Sequence, residues 1–160
     1  MTDGTRDGSI QDEWAWVSGD DNWAPPSIDT SKPSVARMYD YFLGGKDHLA
    51  VDREAAEQFI QGFPDVPTAA RANRAFLARS VLAMTEAGIE HFLDLGTGIP
   101  TVPNVHENAW AHQPGARIVY VDNDPVVLAH NRALLSGEAR VVVSAHDLRD
   151  VDAVLGDPRV

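Results

Sequence analysis

Three short runs with the pattern of β-strands in the second half of the chain limit the architectures that it can adopt. They span Ile89 to Leu95, Ala116 to Val121 and Ala139 to Ala145. In the second and third runs the apolar residues are consecutive rather than alternating, which is typical of parallel strands covered on both faces. Asp124 and Pro125 predict the start of a helix between these two runs. The pattern predicts an α/β fold, with a parallel sheet joined by right-handed helical crossovers.

A helical segment over residues 31–87 is predicted to precede the sheet. Ser31 is expected to cap its first helix, and Gly44-Gly45 to end it. A second helix is expected over about residues 51–62 and a third over about 68–87. The apolar face of the first helix comprises Val35, Met38, Tyr39 and Phe42. The buried face of the third is predicted to comprise Phe76, Leu77, Ser80, Val81 and Met84.

Residues 1–30 differ in composition from the rest of the chain. Arg6 is their only basic residue, whereas seven residues are acidic: Asp3, Asp7, Asp12, Glu13, Asp20, Asp21 and Asp29. This composition predicts a disordered acidic leader. Its three tryptophans, Trp14, Trp16 and Trp23, indicate either loose packing on the domain surface or an interaction or lid segment. Residues 88–160 then form the sheet-bearing unit.

Charge and composition exclude several classes of function. The formal net charge of −11 disfavours a nucleic-acid substrate, because the surface repels phosphates. The chain has no cysteine, and its histidines lack metal-ligand spacing, so no metal site is expected. There is neither a long apolar run nor a secretory signal pattern. We therefore expect a cytoplasmic protein that does not associate with membranes.

The residues that could carry chemistry lie where the predicted strands end. Asp94-Leu95-Gly96-Thr97-Gly98 reads as a strand end followed by a tight turn, where glycine lets a ligand approach the backbone. Asp122 ends the second strand, and Asp147 with Leu148 follows the third. Carboxyl ends of parallel strands share one edge, so these acids are expected to converge on one crevice. The simpler readings are a plain glycine turn and a helix cap at Asp122, although Asp124 already occupies the cap position.

The acidity of this crevice indicates the charge of its ligand. A dinucleotide site prefers G-x-G-x-x-G, but Thr101 stands at the third glycine position. Asp94 would also repel a pyrophosphate, whereas it could hold the ammonium of S-adenosylmethionine. The residues therefore favour this methyl donor over NAD.

The glycine turn with Asp122 and Asp147 resembles the donor site of class I S-adenosylmethionine-dependent methyltransferases. More specifically, the chain resembles a bacterial family of S-adenosyl methyltransferases formerly of unknown function. The matching stretches are residues 34–47, 92–101 and 119–125. The resemblance implies a Rossmann-like domain that binds the donor through Asp94, Gly96, Thr97, Gly98, Asp122, Asn123, Asp147 and Leu148. It assigns the ribose to Asp122 and the adenine to Asp147 and Leu148, and it places the region of Arg37, Tyr41 and Lys46 over the donor.

The same resemblance predicts that the chain is truncated at its C-terminus. The family sheet has seven strands, and this chain supplies the first three, which leaves the first strand at a bare edge. Such an edge could mediate self-association. The resemblance implies methyl transfer to an unknown, small-molecule acceptor, with no catalytic base identified. Two alternatives stand beside it: a non-catalytic remnant that binds the donor or a partner, and an NAD(P)-dependent oxidoreductase.

Overall fold

The computed structural model describes residues 28–135 and 137–160, so most of the predicted leader lies outside the described residues. The helices are α1 (Val35–Leu43), α2 (Ala50–Gly62), α3 (Val66–Glu86), α4 (Val105–Trp110), α5 (Pro125–Leu135) and α6 (Val151–Gly156). The strands are β1 (His91–Leu95), β2 (Arg117–Asp122) and β3 (Val141–Ala145). Within this part of the chain, no helix is long and apolar enough to cross a membrane.

The three strands form one parallel sheet in the order β1-β2-β3. Its register pairs Leu93 with Val119, and Val119 in turn with Val142. α4 connects β1 to β2, and α5 connects β2 to β3. Because all strands run in the same direction, their carboxyl ends meet at one edge of the sheet. The predicted Rossmann-like α/β architecture, preceded by helices, is confirmed.

The hydrophobic core lies around β2, the central strand. Ile118, Tyr120 and Val121 are buried there, and Val127 of α5 is fully buried as well. β1 is less protected, since Leu93 is 40% exposed and β2 is the only strand beside β1 in the described sheet. The consecutive apolar residues of β2 thus correspond to burial on both faces, as predicted.

Two details of the helical segment correct the sequence-based expectation. Phe76 and Met84 of α3 are exposed, at 60% and 38%, rather than buried. Val81 is buried and Leu77 packs against the core, as predicted, and Ala70 and Thr85 are buried on the same helix. Ala70, Leu77, Val81 and Thr85 recur at helical spacing along one stripe, and Phe76 and Met84 lie to the side of that stripe.

The helix boundaries also differ in places. The first helix has Ser34, not Ser31, as its N-cap, while Gly44 ends it in the left-handed conformation as expected. α6 was not predicted, because it is short and has little apolar period. Its cap is nonetheless regular: the Asp150 side chain accepts a hydrogen bond from the Ala153 amide at 3.0 Å.

Candidate functional site

A cleft of about 830 Å³ lies at the carboxyl ends of β1 and β2, beneath the helical segment. The strand ends and their loops contribute Asp94, Leu95, Gly96, Thr97, Gly98, Asp122, Asn123 and Asp124. The helical segment contributes Pro33, Ser34, Val35, Ala36, Tyr39, Asn73, Arg74, Phe76, Leu77 and Ser80. Six of the eight predicted donor-binding residues therefore line a single cavity.

The turn after β1 requires glycine. Gly96 and Gly98 both have positive φ, at 73° and 69°, which other residues adopt at an energetic cost. The Gly96 amide donates to the Val121 carbonyl at 2.8 Å, and the Thr97 amide donates to the same oxygen at 3.2 Å. These bonds join the turn to β2. The turn is consequently held in one conformation beside the end of the neighbouring strand.

Asp122 is bound to the same turn through its side chain. Its Oδ2 accepts a hydrogen bond from the Gly98 amide at 2.9 Å, and its Oδ1 accepts one from the Asp124 amide at 2.9 Å. A carboxylate has about four lone-pair positions, so both oxygens can accept further bonds from a ligand. Asp124, rather than Asp122, caps α5 by accepting from the Val126 amide at 2.8 Å, as predicted.

Asp94 is half-buried in the cleft and its carboxylate has no hydrogen-bond partner among the described residues. Burial raises the pKa of Asp94, because it disfavours the charged form. Arg74 opposes this rise in pKa, and the negative charge of Asp122 adds to it. The positive charge of a cationic ligand would compensate both the loss of solvation at Asp94 and its repulsion by Asp122, so the electrostatics of this end of the cleft suit positive charge.

Asp147 and Leu148 lie outside the residues that line the cleft. The Asp147 carboxylate accepts hydrogen bonds from the Arg149 amide and guanidinium, which hold its pKa well below the usual range. Leu148 is closer to the site, since its Cδ1 is 3.3 Å from where a Cβ on Gly96 would lie. The structure thus brings Asp94 and Asp122 together and leaves Asp147 paired at the side.

The helical segment reaches the cleft through residues other than those expected. Arg37 is buried, Tyr41 donates to Glu57 on α2, and Lys46 is exposed; none of them lines the cleft. The contact is made by Ser34, whose hydroxyl donates to Asp124 at 2.6 Å. No local pattern predicts this pair, because its members are ninety residues apart in the chain.

A buried ion pair holds Ser34 in place. The Arg37 Nε donates to Asp52 Oδ2 at 2.7 Å, and the Ser34 amide donates to Asp52 Oδ1 at 2.8 Å. Burial of Asp52 opposes ionisation, but the bonds from Arg37, Ser34 and Leu49 outweigh it and lower the pKa of this carboxyl. The helical segment is therefore fixed against the strand ends by hydrogen bonds that run from Arg37 to Asp124.

The described ranges contain no group of three or more His, Asp or Glu side chains that could hold a metal ion. The half-buried carboxylate without a partner and the positive-φ glycines are features that fit a cationic nucleoside lying against the turn.

Known proteins resemble this chain over most of its length. The family model for S-adenosyl methyltransferases matches residues 21–160. A solved structure of a candidate methyltransferase from Thermobifida fusca YX is 47% identical, with a TM-score of 0.80. A solved DUF574 family protein from Streptomyces avermitilis MA-4680 is 44% identical, with a TM-score of 0.78. They cover 86% and 84% of this chain, respectively.

The chain spans about half of each of these structures, 52% in both cases. No curated protein matches it. The family match nonetheless extends over most of the sequence, including the helical segment and all three strands. The chain belongs to the S-adenosyl methyltransferase family.

Proposed function

We propose that the chain binds S-adenosylmethionine and forms the donor-binding part of a methyltransferase that acts on a small-molecule acceptor. The observation that carries this proposal is the meeting of Asp94 and Asp122 at the glycine turn, in one cleft. Two carboxylates at that position favour a nucleoside with positive charge over one with a pyrophosphate.

Each residue of the turn has a distinct proposed role. Asp122 binds the ribose hydroxyls with the lone pairs that its two backbone bonds leave available. Gly96 and Gly98 allow the donor to approach the backbone, and Thr97 and Asn123 complete the wall. Asp94 binds the donor's ammonium. This ion pair compensates the energetic cost of a half-buried carboxylate that has no partner in the ligand-free chain.

The adenine is assigned to Leu148 and Asp147. The position of Leu148 against Gly96 supports its part in this assignment, because an adenine ring beside the turn would contact it. Asp147 is engaged by Arg149, so it would accept a bond from the adenine amine only by sharing its oxygens with that guanidinium.

When bound, S-adenosylmethionine supplies a methyl group that its sulfonium activates for displacement. The chain's own residues contribute positioning and electrostatic complementarity, which are the main demands of such a transfer. The net charge of −11 argues against a polyanionic acceptor such as a nucleic acid. A small-molecule acceptor is consistent with the size of the cleft.

Isothermal titration of the 160-residue chain with S-adenosylhomocysteine tests the donor assignment. We expect binding, and we expect Asp122→Ala to weaken it by about 1–3 kcal/mol, a range that covers ordinary hydrogen bonds and those to a charged group. The matched control is Asp65→Ala, an exposed carboxylate outside the cleft, which should leave affinity unchanged. Lack of binding, competition by NADH alone, or equal affinity of the Asp122 variant would contradict the proposal.

A second candidate function is donor binding without turnover. It requires the same donor cleft and differs from the first candidate only in that no methyl group is transferred. An assay for methyl release from radiolabelled S-adenosylmethionine distinguishes the two candidates. Binding accompanied by release supports the enzyme, and binding without release under the same conditions supports the non-catalytic form.

A further inference from the structure

Arg74 on α3 lines the same cleft as Asp94 and Asp122. Among the described residues of the lining it is the only lysine or arginine, and it is half-buried. Its Nη2 donates to the carbonyls of Thr101 at 2.7 Å and Pro103 at 2.6 Å. Carbonyl oxygens orient a guanidinium without neutralising it, so Arg74 keeps its full charge in the cleft.

Asp94 presents the opposite charge in the same cavity. In the ranges that the structure describes, neither side chain forms a salt bridge, with each other or with a third residue. They are close enough for Arg74 to act electrostatically on Asp94. Asp122 and Asp124 also line the cleft, but their carboxylates already accept hydrogen bonds from backbone amides. Arg74 and Asp94 are therefore the cation and the anion of the cleft that remain available to a ligand, and together they are the complement of a zwitterion.

We propose that Arg74 binds the α-carboxylate of the methyl donor while Asp94 binds its ammonium, so that the cleft selects adenosyl sulfur compounds with an intact amino acid. The inference rests on the proposed function, because it assumes that S-adenosylmethionine occupies the cleft. The two carbonyl bonds use Nη2 and leave Nη1 and Nε of Arg74 for the ligand. A guanidinium that is already oriented loses little conformational freedom when the carboxylate binds.

The test is a double-mutant cycle between Arg74 and the ligand's carboxylate. Isothermal titration compares S-adenosylhomocysteine with S-adenosyl-3-thiopropylamine, which keeps the ammonium and lacks the carboxylate. The unmodified chain should prefer S-adenosylhomocysteine by about tenfold or more, as expected for a charge-assisted bond. Arg74→Gln should abolish this preference by weakening S-adenosylhomocysteine alone, and Arg74→Lys should retain part of it.

Arg79→Gln is the matched control, because Arg79 is exposed on the same helix and lies outside the cleft lining. It should leave both affinities unchanged. If Arg74→Gln weakens both ligands by the same factor, Arg74 acts only through the Thr101 and Pro103 carbonyls and the inference is wrong. If the unmodified chain binds the two ligands with equal affinity, this result alone overturns the inference. Failure of the unmodified chain to bind S-adenosylhomocysteine would instead contradict the proposed function.

Discussion

The surroundings of Asp94 destabilise its own negative charge but favour the binding of a positively charged ligand. Burial raises its pKa, and no hydrogen bond from the described part of the chain compensates the carboxylate. A side chain in this condition lowers the stability of the ligand-free protein. Residues that are costly to fold and favourable for binding are common at functional sites, where stability is exchanged for activity.

Asp94→Asn should therefore separate stability from binding. We expect the ligand-free variant to gain about 1 kcal/mol in free energy of unfolding at neutral pH, because an unpaired charge is removed. Its affinity for S-adenosylhomocysteine should fall. Thermal unfolding and titration calorimetry measure the two effects, and a variant that loses stability without losing affinity would refute the role of Asp94.

The pH dependence of binding follows from the same pKa. The ionised form of Asp94 binds the ammonium, so affinity should decrease as the pH falls through the pKa of Asp94, which lies above the ordinary aspartate value. The stability of the folded chain depends on pH in the opposite way. Ionised Asp94 is less favourable in the folded chain than in the unfolded chain, so the free energy of unfolding decreases as the pH rises through the pKa of Asp94. Asp94→Asn should bind equally weakly across the range.

Gly96 offers a prediction about backbone conformation. Its φ of +73° is strained for any residue with a Cβ, and that Cβ would lie 3.3 Å from Leu148. Gly96→Ala should cost about 1–2 kcal/mol in stability and should also weaken donor binding. Gly115→Ala is the control, since it has open space and no positive φ, and should be neutral or slightly stabilising. Similar unfolding temperatures for the two variants would contradict this account.

At the level of elements, the helical segment is attached to the sheet by polar contacts. α1 is connected to α2 by the Arg37–Asp52 pair, and to the start of α5 by Ser34 and Asp124. Both members of the ion pair are buried, with side-chain exposures of 4% and 0%. Removing one partner of such a pair leaves a buried charge without compensation, which is more damaging than removing both.

Asp52→Asn should destabilise the chain by about 3–5 kcal/mol, and the double variant Arg37→Met/Asp52→Asn should recover part of this loss, because it removes the unpaired charge and keeps an acceptor for a backbone amide. Because the pKa of Asp52 is lowered on folding, its contribution is present above the ordinary aspartate pKa and is lost as the pH falls below it. Denaturant unfolding at neutral and acidic pH measures both effects. Equal destabilisation by the single and double variants would argue against an ion-pair origin.

Sequence patterns predicted what depends on near neighbours along the chain. The strands, the glycine turn and the cap at Asp124 follow from local spacing, and the meeting of Asp94 with Asp122 follows from the parallel arrangement of strand ends. The contacts of Ser34 and Arg74 were not predicted, because each joins residues far apart in sequence. The exposure of Phe76 was not predicted either, since helical period alone does not say which apolar face packs inward.

At the scale of the whole described part of the chain, no further strand lies beyond β1 in the sheet. In the described ranges β1 pairs only with β2, so its outer backbone groups have no strand partner, and Leu93 beside them is 40% exposed. An edge strand with apolar side chains readily pairs with another chain. We therefore propose that the chain self-associates through β1.

Sedimentation velocity over a range of concentrations tests this proposal. The sedimentation coefficient of the unmodified chain should rise with concentration, and Leu93→Lys should suppress the rise, because a charge on an edge strand disfavours pairing. Leu155→Lys is the control: this residue is 66% exposed on α6, away from β1. A monomer at every concentration, or equal suppression by the control, would count against the proposal.

The open strand and the ligand cleft share residues, since Asp94 and Leu95 belong to both. A backbone that docks alongside β1 would therefore lie next to residues that line the cleft, and any coupling between docking and donor binding must be reciprocal. If a docked strand changes the affinity for the donor by some factor, the bound donor must change the affinity of docking by the same factor. Donor concentration would then regulate assembly, and assembly would tune the donor concentration at which the cleft fills.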